Sequence, residues 1–332
     1  VPAAPVRVRR PPAEAVGWSA DGPERGRSVL RFGLFGTGHW ASETHAAALA
    51  AHPGARLVGV WGRDPAKAAA LADRHQVPAF DDIDALIEAA DAVSVAVPPD
   101  VQAEIAVRAA LAGRHLLLDK PLALTLADAD RVVAAAQQSG VASIVFFTGR
   151  FHPNVAGFIA AAAAAGGGWQ GARVTLFASI FQPDNPYGGS AWRRERGGLW
   201  DVGPHALAVL LPVLGPVRRV AALAGPRDTT HLLLAHDGGA ASTVSLSLDA
   251  PPAAVLSDFV FFGEEGVQEL PTRNGSAVDA LILAIDQLLA EVDSATRDHR
   301  CDVRFGRDVV AVLAAAETAR AEGRTVTVAA PG

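Results

Sequence analysis

The chain has 332 residues, enough for two domains; it is 50% hydrophobic and 19% charged, a globular composition far from that of disordered chains. A formal net charge of -6 at pH 7 supplies no basic face for a phosphate backbone and excludes nucleic acid as the expected partner. The single cysteine, Cys301, excludes an internal disulfide and a cysteine-rich zinc site, and no apolar run approaches the roughly 20 residues that span a bilayer, so a cytoplasmic protein acting on a small molecule is expected.

Residues 1–28 are rich in Pro, Arg, Ala and Gly without periodicity, which predicts an unstructured leader, with the folded chain starting near Val29. From Leu30 onward apolar strands alternate with amphipathic helices: strand 30–35, helix 40–51, strand 56–61, helix 65–74, strand 92–97 and helix 101–112. Further strands at 115–118 and 143–147 extend the series. Continuous apolar strands separated by helices predict an α/β unit over 29–150, a doubly wound parallel sheet of the Rossmann kind. After an alanine-rich helix ending at Gly166, Gly167 and Gly168, the strands lengthen (172–181, 217–223, 231–236, 241–248, 255–262) and several alternate apolar with polar residues. That alternation predicts a C-terminal α+β domain over 151–332, built on an open, mostly antiparallel sheet whose free face packs on another subunit. Helices at 277–292 and 308–321 close the chain.

Directly after the first strand stands Gly36-Thr37-Gly38-His39-Trp40-Ala41, a GxGxxA turn opening a helix. Gly36 makes the tight turn, Gly38 lets the backbone approach a pyrophosphate, and the helix start supplies N–H donors and positive potential, so NAD(P) binding is expected over a ligand-free turn. The next long strand ends in Trp61-Gly62-Arg63 with no carboxylate for a ribose 2′-hydroxyl; Arg63 suits a 2′-phosphate, which favours NADP over NAD. Asp64 reads as the cap of the helix at 65–74, with a contact to the 2′-hydroxyl as the alternative.

Two more groups sit where ligands bind in such folds. Asp119-Lys120-Pro121 ends a strand; a lysine there could donate to a substrate oxygen and favour an alkoxide, although taken alone it reads first as a surface lysine after a strand. Lys120 is one of only two lysines among 29 basic residues. Asp201 and His205 stand four apart after Gly197-Gly198, a spacing that on one helix places both on one face, with the carboxylate raising the imidazole pKa for acid/base work. The plain alternative is a capping Asp beside a satisfied His. The histidines are scattered without metal-ligand spacing, so no metal is expected.

Taken together, the GxGxxA turn, Asp119-Lys120-Pro121, Trp192-Arg193 and the Gly-Gly followed by DxGxH resemble the Gfo/Idh/MocA oxidoreductases from about Val29 to Val328. The resemblance implies a nicotinamide cofactor, sugar, cyclitol or other polyol substrates, and a homodimer or homotetramer formed through the C-terminal sheet. It implies roles too: Lys120 polarises the reacting oxygen, His205 exchanges its proton, and Asp201 orients His205 or shares its proton. By the same resemblance Pro98 and Pro99 flank the nicotinamide ribose, and Arg150 lines the cofactor and substrate cleft. Two positions depart from the pattern: Asp119 replaces a glutamate, and Gln102 stands where many members carry a histidine. The loop 182–196, with Tyr187, Trp192 and Arg193, is the expected specificity segment. A redox-neutral enzyme with retained NAD and a non-catalytic cofactor sensor are the alternative functions, the second disfavoured by the complete lysine, aspartate and histidine set.

Overall fold

β1 (Leu30–Phe35) is buried at every position except Arg31, as a strand covered on both faces must be. It pairs in parallel with β2 (Ala55–Trp61) on one side and β4 (Ala92–Val95) on the other. With β3 (Ala79–Phe80), β5 (His115–Asp119) and β6 (Ser143–Phe146) it forms a six-stranded parallel sheet in the order β3-β2-β1-β4-β5-β6. The order reverses between β1 and β4, and the C-terminal ends of those strands therefore open a crevice. The computed structural model describes residues 29–164, 168–264 and 266–330, so the expected leader at 1–28, Gly166 and Gly167 lie outside the described residues.

Several local expectations change. β4 stops at Val95: after one more bond to β1, from the Ala96 N–H to the Phe35 carbonyl, the chain turns into Pro98 and Pro99, which start the helix Pro99–Leu111. The helix after the glycine turn is wound as a π-helix over Ala41–Ala46 before becoming α-helical at Ala47–Ala51. Helices Ile83–Ala89 and Leu126–Ser139, capped by Asp82 and Thr125, complete the layers beside the sheet.

The second sheet contains β7 (Trp169–Phe177), β8 (Val217–Ala224), β9 (Thr230–His236), β10 (Ala241–Ser247), β11 (Leu256–Gly263), β12 (Gly266–Glu269) and β13 (Val326–Thr327). Its order is β12-β11-β7-β10-β9-β8-β13, antiparallel throughout except for the parallel pair β7 and β10. β7 leaves the sheet at Phe177, earlier than expected, with one further bridge between Ser179 and Asp249. One face buries Val174, Val220, Leu232 and Val244 beneath helices Gly203–Leu214 and Val303–Glu322. The expected loop at 182–196 is helical from Ala191, in a helix Ala191–Asp201 broken at Gly197, whose φ of 66° only glycine adopts readily. Residues 191–214 contain an 18-residue stretch long and apolar enough to cross a membrane by length and composition, which the sequence reading missed; 78% of that stretch is buried within the protein.

The chain then returns to the first sheet. Helix Ala277–Asp293 packs on β6, His52 Nε2 bonds Asp286 Oδ1 at 2.9 Å, and the Val145 N–H donates to the Cys301 carbonyl at 2.7 Å, closing that edge of the parallel sheet.

Candidate active site

The glycine turn lies at the switch point. Gly36 has φ 132°, and a Cβ there would come within 2.4 Å of the Ala96 carbonyl oxygen, so the turn out of β1 admits glycine alone. Around Gly38 the situation is reversed: a Cβ would meet nothing within 4 Å, leaving open space above the backbone where the helix begins. That is the cradle a pyrophosphate fits. Thr37 packs over Gly62, whose hydrogen leaves it room. The Trp40 ring stacks on Phe146 at 6.4 Å, so Trp40 offers a ligand its backbone rather than its ring. His39 is exposed and meets the ring of Tyr187 edge-on at 5.7 Å, bringing the 182–190 segment of the second domain onto the phosphate turn.

At the end of β2, Asp64 is committed to capping: its Oδ1 accepts from Ala66 N at 3.0 Å and Lys67 N at 3.2 Å. Arg63 beside it is exposed and makes no hydrogen bond or ion pair among the described residues. Pro98 caps and Pro99 opens the helix on the opposite side of the crevice.

From β5 the chain brings Lys120 toward the second domain. Lys120 Nζ donates to Asp201 Oδ1 at 2.8 Å and to the Asp201 carbonyl at 2.7 Å, with both side chains about one-tenth exposed. Arg193 Nε takes the other carboxylate oxygen at 3.1 Å, its guanidinium lying over Tyr187 at 5.0 Å and Trp192 at 4.7 Å. Burial alone would raise the Asp201 pKa; the charges of Lys120 and Arg193 and their hydrogen bonds outweigh it and hold the carboxyl well below the usual range. Asp119 differs. Burial, opposed by the Lys120 charge, pushes its carboxyl up to about 6, while its Oδ1 accepts the Lys120 N–H at 2.8 Å.

His205 corrects the sequence reading. Asp201 ends one helix and His205 lies in the first turn of the next, Gly203–Leu214, so the two do not share a continuous helical face. Both Asp201 oxygens are bonded to Lys120 and Arg193. Burial, then the charges of Lys120, Arg273 and Arg193, drive the His205 pKa well below its ordinary value against the opposing pull of Asp201. These effects favour the neutral imidazole over the charged one.

Three supports were not read from the sequence. Gln102, 1% exposed, donates from Nε2 to the carbonyls of Asp119 (2.6 Å), Pro121 (3.0 Å) and Leu122 (3.2 Å), and its Oε1 accepts the Asp119 N–H at 3.0 Å. It thus grips the backbone on both sides of Lys120. Asp228 Oδ2 accepts from Gly198 N at 2.8 Å and Leu248 N at 3.0 Å, anchoring the start of the segment that carries Asp201. Arg273, from the turn before helix Ala277–Asp293, reaches over Gly149 and lines a small pocket with His205. Such long-range contacts leave no local pattern in the chain. Arg150 lines the same pocket, but its Nη1 donates to the Ala208 carbonyl at 2.9 Å and its guanidinium lies over Phe305, contacts with the second domain rather than with the phosphate turn.

A glycine turn with open space above it at the switch point of a parallel sheet is where such folds hold a dinucleotide, and the Lys120–Asp201 pair ties that sheet to the second one. Family comparisons specify the class of protein. Residues 30–147 match the oxidoreductase family with NAD-binding Rossmann fold, and residues 158–269 match the GFO/IDH/MocA C-terminal domain. The chain belongs to the Gfo/Idh/MocA oxidoreductases. It is 29% identical over 251 residues to a dTDP-3,4-didehydro-2,6-dideoxy-alpha-D-glucose 3-reductase of Streptomyces antibioticus, covering 71% of this chain and 74% of that one. It is 35% identical over 131 residues to an inositol 2-dehydrogenase of Rhizobium meliloti, 38% of each. Among solved structures, the WlbA dehydrogenase from Bordetella pertussis in complex with NADH and UDP-GlcNAcA superposes with a TM-score of 0.77 at 22% identity, covering 91% of this chain and 99% of that one. GenD2 from gentamicin A biosynthesis, in complex with NAD, gives 0.80 at 24% identity, covering 95% and 100%.

Proposed function

We propose that this protein transfers a hydride between NADP and a CH–OH group of a sugar, cyclitol or related polyol, or reduces the matching ketone. The carrying observation is the donor count on Lys120. An ammonium has three N–H donors, and Asp201 takes two of them, through Oδ1 and its own carbonyl, leaving one for a substrate oxygen. The bound nicotinamide supplies or accepts the hydride. Lys120 holds the reacting oxygen and stabilises negative charge on it, while neutral His205 takes the hydroxyl proton or returns it. Asp201 aims Lys120, and Arg193 completes the neutralisation of Asp201.

NADP is favoured over NAD because Arg63 is exposed and unpaired among the described residues while Asp64 is spent on its cap. The substrate class rests on the relatives' names, which specify a nucleotide-linked deoxysugar and inositol. The outer face of the second sheet exposes Leu223, Leu233 and Val267, which supports a homo-oligomer, dimer or tetramer, through that face. The protein is assigned to the cytoplasm.

The test is a titration with NADPH and NADH, wild type beside Arg63→Ala, followed by a polyol and ketose screen with Lys120→Ala as the blank. Arg63→Ala should weaken NADPH about 10- to 100-fold, the worth of a charge-assisted hydrogen bond of about 1.5–3 kcal/mol, and leave NADH unchanged. Lys120→Ala should lose turnover with binding intact. Failure to bind either nucleotide overturns the proposal.

A further inference from the structure

Behind the helix that carries His205 lies a second concavity of about 250 Å³, between the end of that helix, the start of β8 and helix Val303–Glu322. Leu211, Val217, Phe305 and Val312 give it apolar walls, and the charged residues Arg150, Arg300 and Asp308 also line it. Arg150 is 3% exposed; its Nη1 is used by the Ala208 carbonyl, but its Nε is buried without a partner among the described residues. Burial lowers the Arg150 pKa, the Arg300 charge lowers it further, and the groups that act on it among the described residues include no carboxylate. An arginine nonetheless stays protonated in a folded protein, and a buried cation without a counter-charge is costly. The acid at the cavity, Asp308, lies 3.6 Å from Arg307. The concavity therefore joins an apolar body to a surplus of positive charge.

We propose that this cavity binds a small apolar monocarboxylate, its carboxylate held by Arg150 and Arg300 and its hydrocarbon body lodged among Leu211, Val217, Phe305 and Val312. Guanidinium forks match carboxylates in shape and charge. The volume falls below the roughly 300–1,000 Å³ of drug-sized pockets, which sets a small body, and the walls between the charged residues are apolar, which suits a hydrocarbon body. Arg150 also lines the pocket beside His205, so it forms the partition between the two sites.

The site stands apart from the redox reading and is tested by binding alone. Isothermal titration of the full chain with benzoate, with and without saturating NADPH, is compared with benzyl alcohol, which has the same ring and no charge. Two variants accompany it: Arg300→Ala, at an exposed position, and Leu211→Trp, at a partly exposed position whose larger ring fills the cavity. Benzoate should bind equally with and without NADPH, at least tenfold tighter than benzyl alcohol. Arg300→Ala should weaken it at least tenfold, Leu211→Trp should abolish it, and both variants should keep the wild-type melting temperature. Absence of benzoate binding, displacement by NADPH, or equal binding in both variants would overturn the proposal.

Discussion

Replacing Gln102 by leucine keeps the volume and removes every polar atom from the grip on the Lys120 segment. The Asp119 N–H loses its acceptor and the carbonyls of Asp119, Pro121 and Leu122 lose their donor, around a side chain that is 1% exposed. Each buried group left unpaired costs about 1–3 kcal/mol, while leucine's methyls return about 1 kcal/mol of burial, so the net loss is roughly 3 kcal/mol. The functional effect should be larger than the stability loss alone suggests, because Lys120 hangs from the loosened backbone. A displacement of about 1 Å at a reacting group costs on the order of 100-fold in rate. Urea unfolding followed by tryptophan fluorescence measures the first effect, and kcat with an identified substrate measures the second, with the NADPH Kd as control. A stability change under about 0.5 kcal/mol, or wild-type kcat in a destabilised variant, would refute the role assigned to Gln102.

The two turn glycines should behave oppositely. Gly36→Ala, at φ 132° and facing the Ala96 carbonyl, should lower the melting temperature, whereas Gly38→Ala should melt like wild type yet lose nucleotide binding, because its methyl enters the cradle. Equal behaviour of the two variants in melting and titration would contradict the pyrophosphate assignment. Asp228→Ala removes two charge-assisted bonds, to Gly198 N and Leu248 N, and should cost about 2–3 kcal/mol and reduce kcat; Asp228→Asn, which keeps an acceptor, should recover part of both. Asp119 predicts a pH dependence. Its folded pKa of about 6 lies above the ordinary 3.8, so the folded chain binds a proton that the unfolded chain has lost between those values. Its stabilising contribution is full below about pH 4 and is lost as pH rises through about 6. Wild type minus Asp119→Asn should therefore fall across that window in denaturation curves; a flat difference rejects the shift.

The parallel sheet was legible because each buried strand writes a continuous apolar run and each helix its own period, and the glycine turn falls in the one context that gives it meaning. Lys120 and His205 were picked out by motif; the structure bonds Lys120 to Asp201 and places His205 in the first turn of the following helix. What escaped was carried by contacts distant in the chain. β3 is two residues long, too short to leave a pattern. Residues 191–196 read as loop because arginines crowd them, yet those arginines are what Asp201, Tyr187 and Glu317 hold. The Asp201–His205 spacing was read as one helix face, whereas the helix ends between them and the carboxylate serves cations 81 and 8 residues away. Gln102, noted only as a departure from the family pattern, proved to be bonded to backbone 17 to 20 residues on.

The return of the chain to its first sheet has a consequence for how the molecule can be divided. Leu281, Ile285 and Leu288 are fully buried in helix Ala277–Asp293, which packs on β6; Arg307 pairs with Asp130, and residue 301 supplies the partner that the outer edge of β6 would otherwise lack. A nucleotide-binding half cut out near residue 150 would carry an open strand edge and a bare apolar patch into water. The half that reads as a self-sufficient module in chain order is thus finished by residues nearly twice as far along, and an excised module or a chimera joined at that point should aggregate unless the final segment travels with it.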